Sequence, residues 1–200
     1  MQNNIIITGV GGQGVITAGT LISDAAIAKG LKTVMSEIHG LAQRGGSVSV
    51  DVRLGNAYGP IIPEGEADAL IAFEPMEALR NLKRVGKKTI IIVSTEKLPP
   101  ISLGIRRMEY PDINEMMENM AENFTIYPVD AKKLAMEAGN YRALNVVLVG
   151  VAISTGVLPL NVDDIIRALE RRFSGKLMDI NMKALQLGIQ AIVPGHVETH

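Results

Sequence analysis

The sequence predicts an α/β protein with a Rossmann-like three-layer fold, a mostly parallel sheet and a C-terminal helical segment. Residues 5–9 (IIITG) form a continuous β-branched run, which indicates a strand buried on both faces. A glycine cluster follows, and residues 15–28 have the pattern of a helix that ends near Gly30. A second strand pattern covers 32–37. This order of strand, turn, helix and strand is typical of the start of a parallel sheet.

The later elements extend this pattern. Residues 46–54 alternate apolar and polar side chains, which predicts a half-buried strand that is antiparallel or at an edge of the sheet. Glycine, asparagine and proline make 55–67 a loop. The remaining predicted elements are strands at 68–73, 88–94 and 124–129 and helices at 76–84, 112–123, 130–138, 143–155, 163–173 and 175–192. No repeat or linker divides them, so residues 1–200 are expected to form one domain.

Composition and charge exclude several classes of function. The 200 residues carry 20 Lys and Arg against 21 Asp and Glu, and a net charge of −1 argues against nucleic acid as a partner. Cysteine is absent, which removes disulfides, thiolate metal sites and cysteine nucleophiles from this chain. The apolar run at the N-terminus is too short for a signal peptide, and no stretch of the sequence approaches the ~18 uninterrupted apolar residues of a membrane span. We therefore expect a cytoplasmic protein with no membrane association.

A glycine cluster lies between the first strand and the first helix. Glycine allows a tight turn and close backbone approach, and the N-terminus of the following helix offers free N–H groups to an anion. A dinucleotide site would also need an acid near the end of the second strand, where Glu37 lies. The alternative is that the glycines only form the turn. The candidate cofactor-binding residues are Gly9, Gly11, Gly12, Gln13 and Gly14.

The segment 37–48 (EIHGLAQRGGSV) concentrates polar and charged residues in a glycine-rich connection. His39 is suited to proton transfer near neutral pH, and Arg44 to a forked contact with a carboxylate or phosphate. The competing interpretation is an ordered loop whose polar groups pair with one another. The candidate catalytic or subunit-contact residues are Glu37, His39, Gln43 and Arg44. Only two other histidines exist, both in the tail, so no metal site is expected.

A third segment, 62–75, contains a run of carboxylates. Glu64, Glu66 and Asp68 lie close together in the sequence, but without the spacing of a calcium-binding loop. A solvated acidic loop is the simpler interpretation, with Asp68 at the start of a strand. Glu74 and Pro75 follow that strand at its C-terminal end, where open α/β sheets bind their ligands.

These three segments together resemble a known family. GVGGQGV, SEIHGLAQRGGSV and IPEGEADALIAFEPMEALR, in this order, are similar to the β subunits of indolepyruvate:ferredoxin oxidoreductases. These subunits belong to the wider group of γ subunits or domains of 2-oxoacid:ferredoxin oxidoreductases. The resemblance covers about 4–193 and implies one pyruvate/ketoisovalerate ferredoxin oxidoreductase γ-type domain over 1–200.

The resemblance implies a function for a complex rather than for this chain alone. The holoenzyme would oxidatively decarboxylate an aryl-pyruvate with coenzyme A, giving an arylacetyl-CoA, CO2 and reduced ferredoxin. Thiamine diphosphate, Mg²⁺ and [4Fe–4S] clusters would lie on a partner α subunit, and this chain would be an accessory β subunit. A cysteine-free chain cannot hold such clusters through thiolates, which agrees with that division.

Three alternatives stay open. The chain could be the γ subunit of a pyruvate or 2-oxoglutarate enzyme, a free-standing dinucleotide-binding oxidoreductase, or a non-catalytic interaction module. Under the favoured interpretation, the segment 37–48 faces the α subunit near the thiamine. Arg44 would then bind a substrate carboxylate, a coenzyme phosphate or the neighbouring chain.

Overall fold

A computed structural model describes residues 2–39, 46–98 and 110–192. Within these ranges the predicted elements are present, and most boundaries agree to within three residues. The strands are β1 (Gln2–Val10), β2 (Thr33–His39), β3 (Ser47–Gly55), β4 (Ala67–Ala72), β5 (Val85–Ser94) and β6 (Thr125–Val129). The helices are α1 (Val15–Ala28), α2 (Pro75–Arg80), α3 (Ile113–Ala121), α4 (Ala131–Ala138), α5 (Leu144–Ser154), α6 (Val162–Arg172) and α7 (Gly175–Gln190). The helix predicted over 76–84 ends at Arg80, and a 3-10 turn continues at Leu82–Arg84.

The six strands form one sheet in the order β2-β3-β1-β4-β5-β6. β1 is parallel to β4, β4 to β5 and β5 to β6, whereas β3 is antiparallel to both of its neighbours. Five strands therefore run in one direction, which confirms the mostly parallel sheet. Because β3 lies between β2 and β1, the second strand in the sequence is not a neighbour of the first.

Helices cover both faces of the sheet, which confirms the three layers. On one face, here called the apolar face, α1, α4, α5, α6 and α7 pack over a core that contains Ile5, Ile7 and Ile71. On the other face, α2 and α3 pack over a smaller core around Ile6 and Leu70. The C-terminal helical segment thus belongs to the apolar face, where α6 packs against α1.

β3 is antiparallel to its neighbours, which confirms one of the two positions predicted for it. The prediction of a half-buried strand is wrong, because both faces of β3 are buried at an interior position of the sheet. Val48, Val50, Val52 and Leu54 join the core of the apolar face. On the opposite face, Ser49, Asp51 and Arg53 are buried as well. Loop backbone groups and the Arg84 side chain bind Arg53 and Asp51 Oδ2, whereas Ser49 Oγ and Asp51 Oδ1 have no hydrogen-bond partner among the described residues.

The polar face of β3 is held by specific bonds. Asp51 forms an ion pair with Arg84 and accepts a hydrogen bond from the Ile62 N–H at 2.9 Å. Arg53 donates to the carbonyl oxygens of Gly59 and Ile61, both at 2.9 Å. These bonds fasten the loop over 56–66 to the strand, and they explain why charged residues are buried there.

Two glycines set the packing of α5 against α7. A Cβ atom on Gly150 would lie 2.5 Å from the Leu185 carbonyl oxygen, and one on Gly188 would collide with the Val147 carbonyl oxygen. The two helix backbones are therefore in direct contact at this crossing, and only glycine fits at these positions.

Candidate functional site

The candidate site lies at the carboxyl ends of the parallel strands. β1 ends there in the glycine cluster, β4 in Phe73 and Glu74, and β5 in Ser94. β1 connects through α1 towards β2 on one side, while β4 lies on its other side. The crevice between β1 and β4 is thus the position at which open α/β sheets bind ligands. We call this edge the carboxyl edge.

The Gln13 side chain stabilises the conformation of the glycine cluster. Its side chain is buried, its Oε1 accepts from the Val10 N–H at 2.7 Å, and its Nε2 donates to the Phe73 carbonyl oxygen at 3.0 Å. The side chain therefore joins the end of β1 to the end of β4. In this structure Gln13 shapes the loop, and the loop offers its backbone to a ligand.

Two glycines of the cluster are required by their surroundings. A Cβ on Gly9 would lie 2.8 Å from Gln13, Phe73 and Val15 atoms. Gly14 has φ of 89°, a left-handed conformation, and it precedes α1 without any side-chain cap. Gly12 also has positive φ and is exposed, and Gly11 donates from its N–H to the Gly46 carbonyl oxygen at 2.9 Å. The first amides of α1 are consequently available to an acceptor.

The second motif begins and ends at this same edge. Glu37 and His39 are in the second half of β2, where their backbones pair with Val50 and Val48 of β3. The Gly11–Gly46 hydrogen bond joins the motif's end to the glycine cluster. Gln43 and Arg44 lie outside the described residues. The first two motifs are therefore neighbours where both are described.

Glu37 is poorly placed for a dinucleotide ribose. β3 separates β2 from β1, and Glu37 stands level with Ile7, because both pair with Val50. A ribose-binding acid normally ends the strand next to β1. Adjacent strands are about 4.8 Å apart, so Glu37 lies roughly 10 Å sideways from β1. This geometry counts against the free-standing dinucleotide enzyme.

The third motif divides between the two ends of the sheet. Glu64 and Glu66 precede β4 at its amino end, where Glu64 forms an exposed ion pair with Lys83 at 3.5 Å. Asp68 is inside β4 and accepts from the Asn4 N–H at 2.7 Å. Glu74 and Pro75 are at the carboxyl edge, as predicted. The acidic loop is thus a structural feature remote from the candidate site.

Two fully buried carboxylates flank the start of α2. Glu74 caps the helix by accepting from the Glu77 N–H at 3.1 Å, and Tyr110 donates its hydroxyl to Glu74. Glu77 accepts from the Ser47 hydroxyl at 2.5 Å and pairs with Arg80. Burial raises the pKa of Glu74 above its ordinary value, although the hydrogen bonds from Tyr110 and the Glu77 N–H oppose this rise. The pair anchors Ser47 and Tyr110 at the carboxyl edge.

A cavity of about 350 Å³ lies beside the glycine cluster on the apolar face. It is bounded by the start of α1, by the 3-10 turn Tyr141–Ala143 with the start of α5, and by α7. Its polar lining includes the cluster backbone, and its apolar lining comes mainly from the last two helices. Its lining side chains include Thr17, Arg142, Asn145, Phe173, Ile180 and Asn181.

Tyr141 also lines the cavity and closes it towards β5. Its hydroxyl donates to Glu96 at 3.0 Å, and Glu96 is paired with Lys132 at 3.0 Å. Burial and the bond to Glu96 raise the pKa of Tyr141 to about 12, so the phenol stays protonated near neutral pH. Glu96 is thus held by Tyr141 on one oxygen and by Lys132 on the other.

Most of the cavity side chains are not predictable from the sequence. Asn145 was a polar interruption in an otherwise apolar helix, and that exception was the available signal. Arg142 and Asn181 carry no comparable signal, because their place depends on how α5 and α7 pack. Within the described ranges, no group of three or more His, Asp or Glu side chains is placed to hold a metal ion. No helix in the same ranges is both long and apolar enough to cross a membrane.

Comparisons with known proteins agree with this architecture. The profile of the family "Pyruvate ferredoxin/flavodoxin oxidoreductase" matches residues 4–191. The chain is 40% identical over 192 residues to the indolepyruvate oxidoreductase subunit IorB of Methanothermobacter thermautotrophicus, covering 96% of this chain and 98% of that protein. It is 41% identical over 193 residues to the same subunit of Thermococcus kodakarensis, covering 95% and 96%.

A solved structure shares the fold. The pyruvate oxidoreductase subunit PORC of Thermotoga maritima superposes with a TM-score of 0.74 at 20% identity, covering 95% of this chain and 96% of that one. The sequence likeness extends over all three motifs and over nearly the whole length of the IorB relatives. The chain therefore belongs to the pyruvate ferredoxin/flavodoxin oxidoreductase family, in which its relatives are IorB subunits of indolepyruvate oxidoreductases.

Proposed function

We propose that this chain is the accessory β subunit of a thiamine-dependent indolepyruvate:ferredoxin oxidoreductase. The complex would convert one aryl-pyruvate, one coenzyme A and two oxidised ferredoxins into one arylacetyl-CoA, one CO2, one proton and two reduced ferredoxins. The observation that carries the proposal is the 40% identity to an IorB subunit over 98% of that subunit's length.

The donor atoms of this chain support a division of labour between subunits. It contains no cysteine, so a [4Fe–4S] cluster must take its thiolates from another chain. We place the clusters, thiamine diphosphate and Mg²⁺ on a partner α subunit, with coenzyme A as co-substrate and ferredoxin as a partner of the holoenzyme. The single γ-type domain over 1–200 and the cytoplasmic location belong to the same proposal, and the family match over 4–191 supports the former.

The carboxyl edge is the proposed contact with the α subunit. The glycine cluster and the ends of the second motif meet there, and the buried Glu74–Glu77 pair holds Ser47 at the same edge, so this edge contains parts of all three family motifs. Glu37, His39, Gln43 and Arg44 are the proposed interface residues, and Arg44 would contact a carboxylate, a coenzyme phosphate or the partner. Gly9, Gly11, Gly12, Gln13 and Gly14 are the proposed cofactor-binding loop, acting through backbone N–H groups.

The test is reconstitution with the partner chain. The two chains would be produced separately and mixed, and ferredoxin reduction would be measured with indolepyruvate and coenzyme A. We expect a stable complex, with turnover lost when this chain is omitted. Full turnover by the partner alone would contradict the proposal. Faster turnover with pyruvate or 2-oxoglutarate would instead favour the γ subunit of another 2-oxoacid enzyme.

Arg44→Ala tests the proposed interface. We expect either a weaker complex or a raised KM, by tenfold or more, because a charge-assisted contact is lost. Arg171→Ala is the matched control, since Arg171 is exposed on α6 and is remote from the second motif in the sequence. Unchanged assembly and unchanged kinetics in Arg44→Ala would exclude both roles of Arg44. Micromolar binding of a nicotinamide or flavin nucleotide to the isolated chain would revive the dinucleotide alternative.

A further inference from the structure

We propose that the cavity between α1, α5 and α7 binds a small organic anion, namely an oxyanion group attached to a compact apolar body. The cavity borders the glycine cluster but opens on the apolar face, beside the C-terminal helices. Its proposed ligand does not depend on the redox reaction of the complex.

The start of α1 supplies one set of donors. Gly14 precedes the helix in a left-handed conformation, no side chain caps the first amides, and no acidic residue lies in the first turn. The 14-residue helix therefore directs free N–H groups and the positive end of its dipole at this region. Thr17, one turn into α1, also lines the cavity.

Two buried asparagines supply the second, independent observation. Asn145 is 7% exposed, and its Oδ1 accepts from the Val146 N–H at 2.8 Å, which fixes the NH2 group on the other side of the amide. Asn181 is also 7% exposed, and its Nδ2 donates to the Leu177 carbonyl oxygen at 2.8 Å. Within the described ranges, the Asn145 Nδ2 and the Asn181 Oδ1 have no hydrogen-bond partner. Both side chains line the cavity, and the Asn145 Nδ2 is able to donate to an oxyanion there, whereas the Asn181 Oδ1 can only accept a hydrogen bond from a ligand.

The charges around the cavity select an anion. Among the described residues that line the cavity none is a carboxylate, and Arg142 is the charged one. The Arg142 guanidinium forms no ion pair with any described residue and is exposed at the mouth. Arginine and helix N-termini together are the usual recognition elements for carboxylates and phosphates.

The remaining wall limits the ligand to one with an apolar body. Phe173 and Ile180 present apolar side chains to the cavity, and Leu177 is a large apolar residue left 53% exposed at its rim. A volume of about 350 Å³ is at the lower end of the range for small-molecule sites. A single ring with a short acidic side chain is of suitable size, whereas a whole dinucleotide exceeds it.

The experiment is calorimetric titration of the full chain, alone and in its complex, with four probes. Phenylacetate and phenyl phosphate carry both parts of the proposed ligand, indole carries only an apolar body, and inorganic phosphate carries only the oxyanion. We expect saturable binding of one or both of the first two probes, at least about tenfold tighter than either of the last two. The preferred probe of the first pair identifies the oxyanion as carboxylate or phosphate. Equal binding of inorganic phosphate, equal binding of indole, or no binding at all would each overturn the proposal.

Substitutions connect the binding to the cavity. Arg142→Ala is expected to weaken binding by about tenfold or more, whereas the matched change Arg171→Ala on the exposed side of α6 should leave it unchanged. Asn145→Asp keeps the shape of the side chain but replaces the free NH2 group with a carboxylate oxygen, and should abolish binding. Circular dichroism and thermal unfolding of both variants separate loss of binding from loss of fold. Full binding by folded Arg142→Ala and Asn145→Asp would place the ligand elsewhere and overturn the proposal.

Discussion

The two faces of β3 are equally buried but are stabilised in different ways. One face contributes Val50 and Val52 to the large apolar core. The other presents Asp51 and Arg53 to Arg84 and to the carbonyl oxygens of the loop that covers them. Apolar contacts are numerous and individually replaceable, whereas a buried charge depends on a few specific partners. A change on the polar face should therefore cost more than a change of similar size on the apolar face.

The largest expected effect is that of Asp51→Ala. Removing this carboxylate leaves the Arg84 guanidinium and the Ile62 N–H without their partner, and should lower the free energy of unfolding by about 3–5 kcal/mol. Urea unfolding measures the change. The control is Glu64→Ala, which removes an exposed ion pair with Lys83 and should cost less than about 1 kcal/mol. Replacing both buried partners, as Asp51→Leu with Arg84→Met, should recover much of the loss, and equal costs for Asp51→Ala and Glu64→Ala would refute this view of the polar face.

The next effect is that of Val50→Ala on the apolar face. It removes two methyl groups from a fully buried site, at about 0.8 kcal/mol for each carbon plus the cost of the cavity, or roughly 1.5–2.5 kcal/mol in total. The same urea measurement applies, and Val50→Ile tests whether the site is fully packed. If Val50→Ala destabilises the protein more than Asp51→Ala, the proposed contrast between the faces is reversed.

The smallest expected effect concerns pH. Asp164 and Glu74 should change the free energy of unfolding in opposite directions as the pH rises. The Asn161 N–H, together with Lys29 and Arg167, lowers the pKa of Asp164, whereas burial raises that of Glu74. Asp164 should therefore contribute stability above its ordinary value of 3.8, and this contribution is lost as pH falls through the lower native pKa. For Glu74, whose ordinary pKa is 4.5, the free energy of unfolding should fall as the pH rises from 4.5 towards the raised native pKa.

Matched amides separate the two carboxylates. Asp164→Asn should cost about 1 kcal/mol at neutral pH and less at pH 3, because below its ordinary pKa of 3.8 the unfolded wild type takes up a proton that the native carboxylate resists. For Glu74→Gln, the difference from wild type should shift in favour of the variant as pH rises above 4.5. Free energies of unfolding measured across pH 3–7 give, for each variant, the slope against pH of its difference from wild type. Slopes of the same sign would show that one of the two assignments is wrong.

Local patterns predicted most of the fold. Hydrophobic periodicity predicted the elements. The predicted helices 112–123 and 130–138 begin with Asp112 and Asp130, and these two side chains accept bonds from the first amides of α3 and α4. The burial of Asp51 was not predictable from the strand's own alternation, because it depends on Arg84 and on a loop from a different part of the chain. The position of β3 between β2 and β1 is also a long-range property, which no local pattern contains.

The candidate site was likewise predictable only in part from local sequence. The glycine cluster was visible because a tight turn after a strand needs glycine at defined spacing, and Gly9 and Gly14 show that need in the structure. The inward role of Gln13 was not visible, because its partner is the Phe73 carbonyl oxygen 60 residues later. The cavity was missed since Asn145 and Asn181 are brought to the same cavity only by helix packing.

The contact between the backbones of α5 and α7 has a consequence for selectivity. Gly150 and Gly188 leave no side-chain layer between these helices, so the two walls that carry Asn145 and Asn181 cannot slide or separate without breaking backbone contact. The cavity is thus preorganised, and the distance between its α5 and α7 walls is fixed. Discrimination between ligands should come from steric exclusion of larger bodies, with little entropy lost in arranging the protein around those that fit.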